Sequence, residues 1–353
     1  MRIAVAMSGG VDSSVAAALL KKQGHEVIGL TMCFHPARAG EVVAPCGGSK
    51  SEEEAENVCR ALGIRHYSFD FTAELEKEVI ANFCREYLLG RTPNPCVRCN
   101  KSVKFDGLLK KALSLGARFL ATGHYARVIK GGSSFSLGKA KDPSKDQSYF
   151  LYRLSQRQLQ HTLFPLGEYT KAEVRRMARE FNLPAADKPD SQEICFLAGG
   201  DYREFVRSHA PQAVTPGPVL DTAGARIGTH QGVAFYTVGQ REGLGIALGY
   251  PAYITVIDPR KNSIVVGKKE DVLKKTFLVK QAHCIGYPLK KRVALMVKIR
   301  YNHQEAPAWV ILYQKKLKVT FKEAQFAVTP GQSAVFYDCD RVAGGGIIDT
   351  VLE

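Results

Sequence analysis

Through the first half of the chain, short apolar runs alternate with stretches of helical periodicity. Ile3 to Met7, Val27 to Met32, His66 to Phe71 and Phe119 to Thr122 read as strands; Val15 to Gln23, Ser51 to Leu62, Ala73 to Leu89 and Val103 to Leu115 read as helices. Repeated strand–helix units predict an α/β domain with a doubly wound, mainly parallel sheet. Ligands of such sheets sit beyond the carboxyl ends of the strands, so Ser8 to Ser14, Met32 and Gly123-His124, which follow predicted strands, are expected to converge on one crevice. A further helix spans Lys171 to Phe181. After about Ser208, prolines punctuate short predicted strands, among them Gly232 to Val238 and a hairpin of Ile254 to Asp258 with Ser263 to Val266. From about Thr276 the chain reads almost entirely as strand: Phe277 to Ala282, Ala294 to Tyr301, Ala308 to Tyr313, Leu317 to Phe321 and Ser333 to Tyr337 suggest a small barrel or sandwich. The expected division is 1–207, a small β-rich central domain over 208–273, and a basic β-barrel over 274–353.

At 353 residues and 45% apolar, the chain can bury a large core. No apolar run approaches a membrane span and no signal-peptide pattern stands at the start, so a cytoplasmic protein without a membrane partner is expected. The net charge of +15 is regional: Arg260 to Lys322 holds 16 Lys/Arg against 3 Asp/Glu, leaving 33 against 31 elsewhere. Solubility does not require such a concentration, whereas phosphate contacts to RNA would use it; Lys290-Lys291-Arg292, Lys298, Arg300 and Lys315-Lys316 are the candidate carriers, and Tyr301 a candidate for base stacking. Lysines alternating with apolar residues over Leu317 to Phe321 predict one wet face.

The chemistry begins at Ser8-Gly9-Gly10-Val11-Asp12-Ser13-Ser14, between the first strand and an alanine-rich helix. Two glycines let the backbone turn and present N–H groups, the serines add donors, and the helix N-terminus adds positive potential. A capped Gly/Ser turn would look similar in isolation. No Lys-Ser/Thr pair follows, so this is not the common P-loop. It resembles the SGGxDS loop of ATP pyrophosphatases, which cleave between the α- and β-phosphates and pass AMP to an acceptor.

Nine cysteines in a chain without secretory features favour reduced, reactive or metal-bound thiols. Cys96 and Cys99 stand in Asn94-Pro95-Cys96-Val97-Arg98-Cys99-Asn100, where two prolines and two asparagines predict an irregular, accessible segment; Arg91, Arg98 and Lys101 nearby are expected to lower the thiol pKa. A single CxxC does not make a zinc site; it is a redox pair or part of a larger set, with Cys195 the candidate third member. Cys33, Cys59, Cys84, Cys284 and Cys339 read as small core residues; Cys46 lies in a loop from about His35 to Ser49.

Together, SGGVDSS, NPCxxCN, ATGHYAR at 121–127, KDQSYFL at 145–151, DSQEICF at 190–196 and TPGQSAVFY at 329–337 span the chain in order and resemble the tRNA 2-thiouridylases of the PP-loop ATP-pyrophosphatase superfamily. The resemblance implies that ATP with Mg²⁺ adenylates the carbon-2 oxygen of a wobble uridine, pyrophosphate leaves, sulfur attacks carbon 2 and AMP departs. It implies an ATP site at Ala6, Met7, Ser8, Gly9, Gly10, Val11, Asp12, Ser13, Met32 and Gly123, a persulfide carrier at Cys195 and a nucleophile at Cys99, which either attacks the persulfide to free sulfide, leaving a disulfide, or assists the transfer. It implies contacts to the target base at Asn94, Pro95 and Cys96 and to tRNA at His124, Lys145, Asp146, Gln147, Arg300, Tyr301 and Gln332, with sulfur from a cysteine desulfurase or relay protein. Family members carry Asp where this chain has Cys96. A thiol there opens a second mechanism, in which Cys96, Cys99 and Cys195 hold a 4Fe-4S cluster that binds the transferred sulfide. A small-molecule ligase would use the loop but not the thiols or the basic domain; a simple RNA-binding protein would leave the loop idle.

Overall fold

The computed structural model describes residues 1–34, 50–189, 194–197, 200–211, 214–246, 248–286 and 292–352. The stretch His35 to Ser49 with Cys46, the run 190–193, and Lys290-Lys291 lie outside the described residues. The chain forms two compact units, the first of Met1–Val79, Cys96–Phe196 and Asp340–Val342, the second of Ile80–Pro95, Leu197–Cys339 and Ala343–Glu353.

The first unit is built on five parallel strands, β1 (Arg2–Ala6), β2 (Glu26–Cys33), β3 (Arg65–Asp70), β4 (Phe119–Ala121) and, taken ahead of the hairpin β5 (Arg127–Gly131) and β6 (Ser134–Gly138), β7 (Thr162–Leu163). Their order is β3-β2-β1-β4-β7. The chain steps outward from β1 to β3 on one side and then crosses to β4, so the switch point lies between β1 and β4, directly beyond the phosphate loop. The unit's helices among the described residues are α1 (Val11–Lys22), α2 (Lys50–Leu62), α3 (Thr72–Leu75), α5 (Pro95–Arg98), α6 (Leu109–Ser114), α7 (Gln156–Gln160) and α8 (Lys171–Glu180); α4 (Ala81–Leu88) and α9 (Tyr202–His209) belong to the second unit. Ile3, Val5, Val15, Leu20, Val58 and Val174 share one core, which is why α1, α2 and α8 lie against the sheet. Arg341 and Val342 pair with Gly138 and Leu137 at the β6 edge.

Several boundaries differ from expectation. Ala73 to Leu89 is not one helix: a π-helical segment, Glu76–Ile80, separates α3 from α4. Val103 to Leu115 begins eight residues early, since α5, a π-helical segment Cys99–Leu108 and α6 run on without a break. Met32 lies within β2 rather than after it.

In the second unit α4 and α9 meet through aromatic rings, Tyr87 stacked on Tyr202 at 4.9 Å and Phe83 edge-on to Phe205 at 6.2 Å. A four-stranded sheet, β10-β11-β8-β9, follows from β8 (Gly217–Leu220), β9 (Arg226–His230), β10 (Tyr253–Asp258) and β11 (Ser263–Gly267). The predicted hairpin is β10–β11, its turn held by Asp258 Oδ1 accepting from the Arg260 and Lys261 N–H at 3.0 and 3.2 Å. Gly232 to Val238 is not a strand: Val233–Phe235 is a buried 3₁₀ turn. The C-terminal strands β12 (Leu273–Cys284), β13 (Val293–Lys298), β14 (Ala306–Tyr313), β15 (Lys316–Phe326), β16 (Ser333–Asp338) and β17 (Arg341–Val351) form a six-stranded ring, β12-β15-β14-β13-β16-β17, closed by β17 pairing back to β12. Leu317, Val319 and Phe321 face the core with Phe277, Val297 and Phe336, and Lys316, Lys318 and Thr320 face outward, as the alternation predicted. Closure removes free edges. Among the described residues no helix is long and apolar enough to cross a membrane.

Candidate active site

The phosphate loop is fixed from below and from both sides. Met7 N–H donates to the Leu30 carbonyl at 2.8 Å, and the Met7 carbonyl accepts from the Thr31 hydroxyl at 3.1 Å, itself 2.7 Å from His66 Nε2. Ser8 N–H donates to Ser13 Oγ at 3.3 Å, the two hydroxyls lie 3.2 Å apart, and Ser13 and Ser14 hydroxyls donate to the Gly10 carbonyl at 3.1 and 2.8 Å. Gly10 is the N-cap of α1 and brings no capping side chain, so the N-terminus of a twelve-residue helix faces the loop without one. Gly9 has φ +69°, and a Cβ there would meet Glu54 Cβ at 2.7 Å and the Ser51 carbonyl at 2.9 Å; only glycine fits. At the end of β4, a Cβ on Gly123 would stand 2.7 Å from backbone atoms of both Asp12 and Ser13, so the two loops meet in backbone contact at the switch point.

Three basic or polar side chains that the sequence reading passed over surround this loop. Lys171 Nζ donates to Asp12 Oδ1 and Oδ2 at 2.7 and 2.9 Å, Tyr125 Oη donates to Asp12 Oδ1 at 2.7 Å, and Lys188 Nζ donates to the Gly9 carbonyl at 3.4 Å while pairing with Glu54. Only Tyr125 belonged to a motif noted above. Lys171 is adjacent to Thr170, which caps α8 through a Thr170–Glu173 capping box; that signal marks a helix start, not a site.

The cysteine segment departs from expectation in two respects. It is helical: Pro95 is the first residue of α5, where its fixed φ and missing N–H are compatible with a helix, so a proline read as a breaker is a start signal. The thiols are also not acidified. Burial pushes Cys99 up to about 12 and Cys96 up to about 11, and raises Cys195. Cys96 and Cys195 are nevertheless exposed residues and Cys99 intermediate. Arg91 is turned to Glu86 and Asp349, and Arg98 donates to the Glu78 carbonyl at 3.0 Å, so neither serves the thiols. The cation that does is Lys104, which lowers all three against the larger effect of burial. It follows Cys99 by five residues in the π-helical segment, where i and i+5 adjoin.

His124 belongs to the same neighbourhood. Its Nδ1 lies 2.7 Å from the Thr122 hydroxyl, and its ring lies beside Phe105 and Phe164 at 5.9 and 6.0 Å. Burial first and Lys104 second hold it well below the usual imidazole range, so it is neutral at pH 7. Gly123 touching Asp12 and His124 sharing Lys104 with the thiols link the phosphate loop and the three cysteines in one unit. Cys33, Cys59 and Cys84 are buried as expected; Cys284 and Cys339 are exposed, the first ending β12, the second in the β16–β17 turn at φ +53°. Among the described residues no three His, Cys, Asp or Glu side chains stand close enough to hold one metal ion.

The remaining expected contacts are of two kinds. Asp146 is buried, accepting from Ala140 N–H, Ser148 N–H and Ser148 Oγ at 3.0, 3.2 and 2.8 Å. Gln147 exchanges bonds with Tyr125, accepting its N–H at 3.0 Å and donating backbone N–H to its carbonyl at 2.8 Å. In the second unit, Arg300 donates to the Val238 carbonyl at 2.8 Å and to Thr329 Oγ1, Lys298 lies over the Tyr301 ring at 5.4 Å, and Lys316 pairs with Asp349 at 2.6 Å. Gln332 Nε2 donates to the Thr92 and Pro93 carbonyls, both at 3.1 Å, and so holds the strand of chain that leads into Asn94-Pro95.

A parallel sheet with an anion cradle at its switch point, thiols beside it and a closed barrel downstream defines a HUP-type α/β enzyme with β-domain appendages. Family models match in that order: a tRNA methyl transferase HUP domain over residues 1–199, a tRNA methyl transferase PRC-barrel domain over 203–268, and an aminomethyltransferase beta-barrel domain over 274–348. The tRNA-specific 2-thiouridylase MnmA of Halothermothrix orenii is 49% identical over 98% of this chain and 98% of its own, and that of Moorella thermoacetica 46% identical over 99% of each. The chain belongs to the tRNA-specific 2-thiouridylase family. Among solved structures, a 4-thiouridine synthetase–RNA complex with bound ATP aligns at TM-score 0.39 and 18% identity, over 60% of this chain and 51% of that one, too distantly to inform the site.

Proposed function

We propose that this chain uses ATP to replace the carbon-2 oxygen of a tRNA wobble uridine with sulfur. The observation that carries the reading is the joining of two clusters: the loop Ala6 to Ser13 abuts Gly123, and the next residue, His124, shares Lys104 with Cys96, Cys99 and Cys195. Such a site can activate a base by adenylation and deliver sulfur to the same atom. The uracil O2 attacks the α-phosphorus, the bond to the β-phosphate oxygen breaks, and pyrophosphate leaves; a poor leaving oxygen thereby becomes part of AMP. The cradle N–H groups and α1 N-terminus favour the phosphate charge, and Mg²⁺ entering with ATP offsets the rest.

Cys195 carries the sulfur as a persulfide loaded by a cysteine desulfurase or relay protein. Cys99 thiolate attacks Cys195 Sγ, forming the Cys99–Cys195 disulfide and freeing hydrosulfide, which adds to carbon 2 and expels AMP; a thiol reductant restores the pair. Asn94, Pro95 and Cys96 face the target base, His124, Lys145, Tyr301 and the basic barrel serve tRNA, and Met32 borders the nucleotide. Asp146, Gln147, Arg300 and Gln332 serve tRNA too, and each also shapes a loop through the bonds it makes within the protein. The modules 1–207, 208–273 and 274–353 divide catalysis, spacing and RNA binding. The test is pyrophosphate release with full chain, ATP and tRNA: release that depends on tRNA, with Cys99→Ser and Cys195→Ser retaining ATP and tRNA binding but forming no 2-thiouridine. Thiolation persisting in either variant removes that cysteine from the scheme.

A further inference from the structure

Asp12 is an acid built into an anion cradle. It stands in the first turn of α1, where the helix N-terminus stabilises it by the same potential that phosphates would use. Left alone, its carboxylate would repel an incoming phosphate chain. Lys171 answers it with two hydrogen bonds, at 2.7 and 2.9 Å, and Tyr125 Oη adds a third at 2.7 Å. Two features of Lys171 show that this pairing is not incidental to helix stability. A cation at the first position of a helix opposes the helix dipole, so Lys171 does not favour α8. The residue is also only 9% exposed, a costly position for lysine unless paired. Its backbone is anchored separately, Lys171 N–H donating to Asp142 Oδ2 at 2.9 Å behind the Thr170 cap.

We propose that Lys171, assisted by Tyr125, is a positioning residue of the phosphate loop: it neutralises and holds Asp12, so that the cradle presents N–H groups rather than a free carboxylate to the nucleotide. This rests on the reading of the loop as an ATP site. It also distinguishes Lys171 from a direct phosphate ligand, because a residue acting through Asp12 loses its effect once Asp12 loses its charge.

The experiment is a double-mutant cycle on the full chain, reading the dissociation constant of ATP with Mg²⁺ by calorimetry. Lys171→Met is expected to weaken ATP on the order of tenfold, the size of one uncompensated charge at short range in a partly screened site. In the Asp12→Asn background the same substitution is expected to change binding by less than about twofold, because acting through a shared partner makes effects non-additive. Lys171→Arg, which keeps the cation, is expected to recover most of the loss, and affinity for tRNA is expected to stay constant throughout. Equal losses in the two backgrounds would overturn the proposal and make Lys171 a direct ligand. Should Lys171→Met not fold, Tyr125→Phe carries the same test: a loss of a few-fold with Asp12 present, from one hydrogen bond, and none in the D12N background. Equal Tyr125→Phe losses overturn it likewise. Wild-type chain that binds no ATP would instead overturn the functional reading on which the proposal stands.

Discussion

At the scale of single residues, burial governs the sulfur chemistry. With Cys99 pushed up to about 12 and Cys96 up to about 11, the thiolate, which is the reactive form, is scarce at pH 7. Alkylation of Cys96 and Cys99 by iodoacetamide, followed by mass spectrometry of the free protein, is expected to be slow at neutral pH and to rise about tenfold per pH unit from pH 7 to pH 10. Lys104→Met removes the cation that counteracts burial and should move that rise to still higher pH; a plateau below pH 8 would contradict the assignment. Gly123→Ala drives a methyl against the backbone of Asp12 and Ser13 and should cost ATP affinity tenfold or more while leaving tRNA affinity intact, as paired binding titrations would show. The phosphate loop was legible because its residue types carry their own backbone requirements. Lys104, Lys171 and Lys188 were not, since a lysine in sequence gives no sign of whether it faces solvent or a carboxylate many residues away.

At the scale of elements, what the periodicity showed and what it hid follow from local physics. Buried parallel strands and amphipathic helices repeat clearly, and β1 to β4 fell within a residue or two of expectation. Pro95 misled because proline breaks a helix only in its interior; at the start of α5 it belongs. β17 lies in the stretch read broadly as strand but has no bounds legible in sequence, because Gly344-Gly345-Gly346 erases the side-chain alternation, although its pairing with β12 closes the barrel. That closure is pinned by Asp349 in β17, which accepts from Lys280 and Lys316 at 2.9 and 2.6 Å; these bonds outweigh burial and hold the carboxyl at about 2. Asp349→Asn is expected to destabilise the barrel by about 2 kcal/mol, read as a lower denaturant midpoint. No change in the midpoint would show that the ion pairs contribute only geometry.

For the whole molecule, four histidines set the acid limit. Burial lowers the pKa of His66, His124, His230 and His303, so the unfolded chain takes up protons near the ordinary 6.5 that the folded chain refuses. The histidine contribution to stability is therefore full above pH 6.5 and falls as the pH drops below it, with Asp349 adding a further loss only as pH falls from its ordinary 3.8 toward 2. Thermal unfolding should show a flat midpoint between about pH 7 and 8, a decline between pH 6.5 and 5, and a second decline above about pH 9, where thiols that burial keeps protonated in the folded chain ionise in the unfolded one. The basic character of Arg260 to Lys322 was legible in composition, but its deployment was not: Lys316 and Arg300 are engaged within the protein, which leaves fewer cations for RNA than the count of 16 suggested. Joining the phosphate loop and the thiols in one reaction is tested by mass analysis of nucleosides from tRNA incubated with the chain, ATP and a persulfide donor. The expected product is 2-thiouridine at the wobble position with one AMP and one pyrophosphate released per sulfur inserted, none of it without ATP; thiolation that proceeds without ATP, or AMP formation that proceeds at full rate without tRNA, would separate the two clusters into unrelated sites.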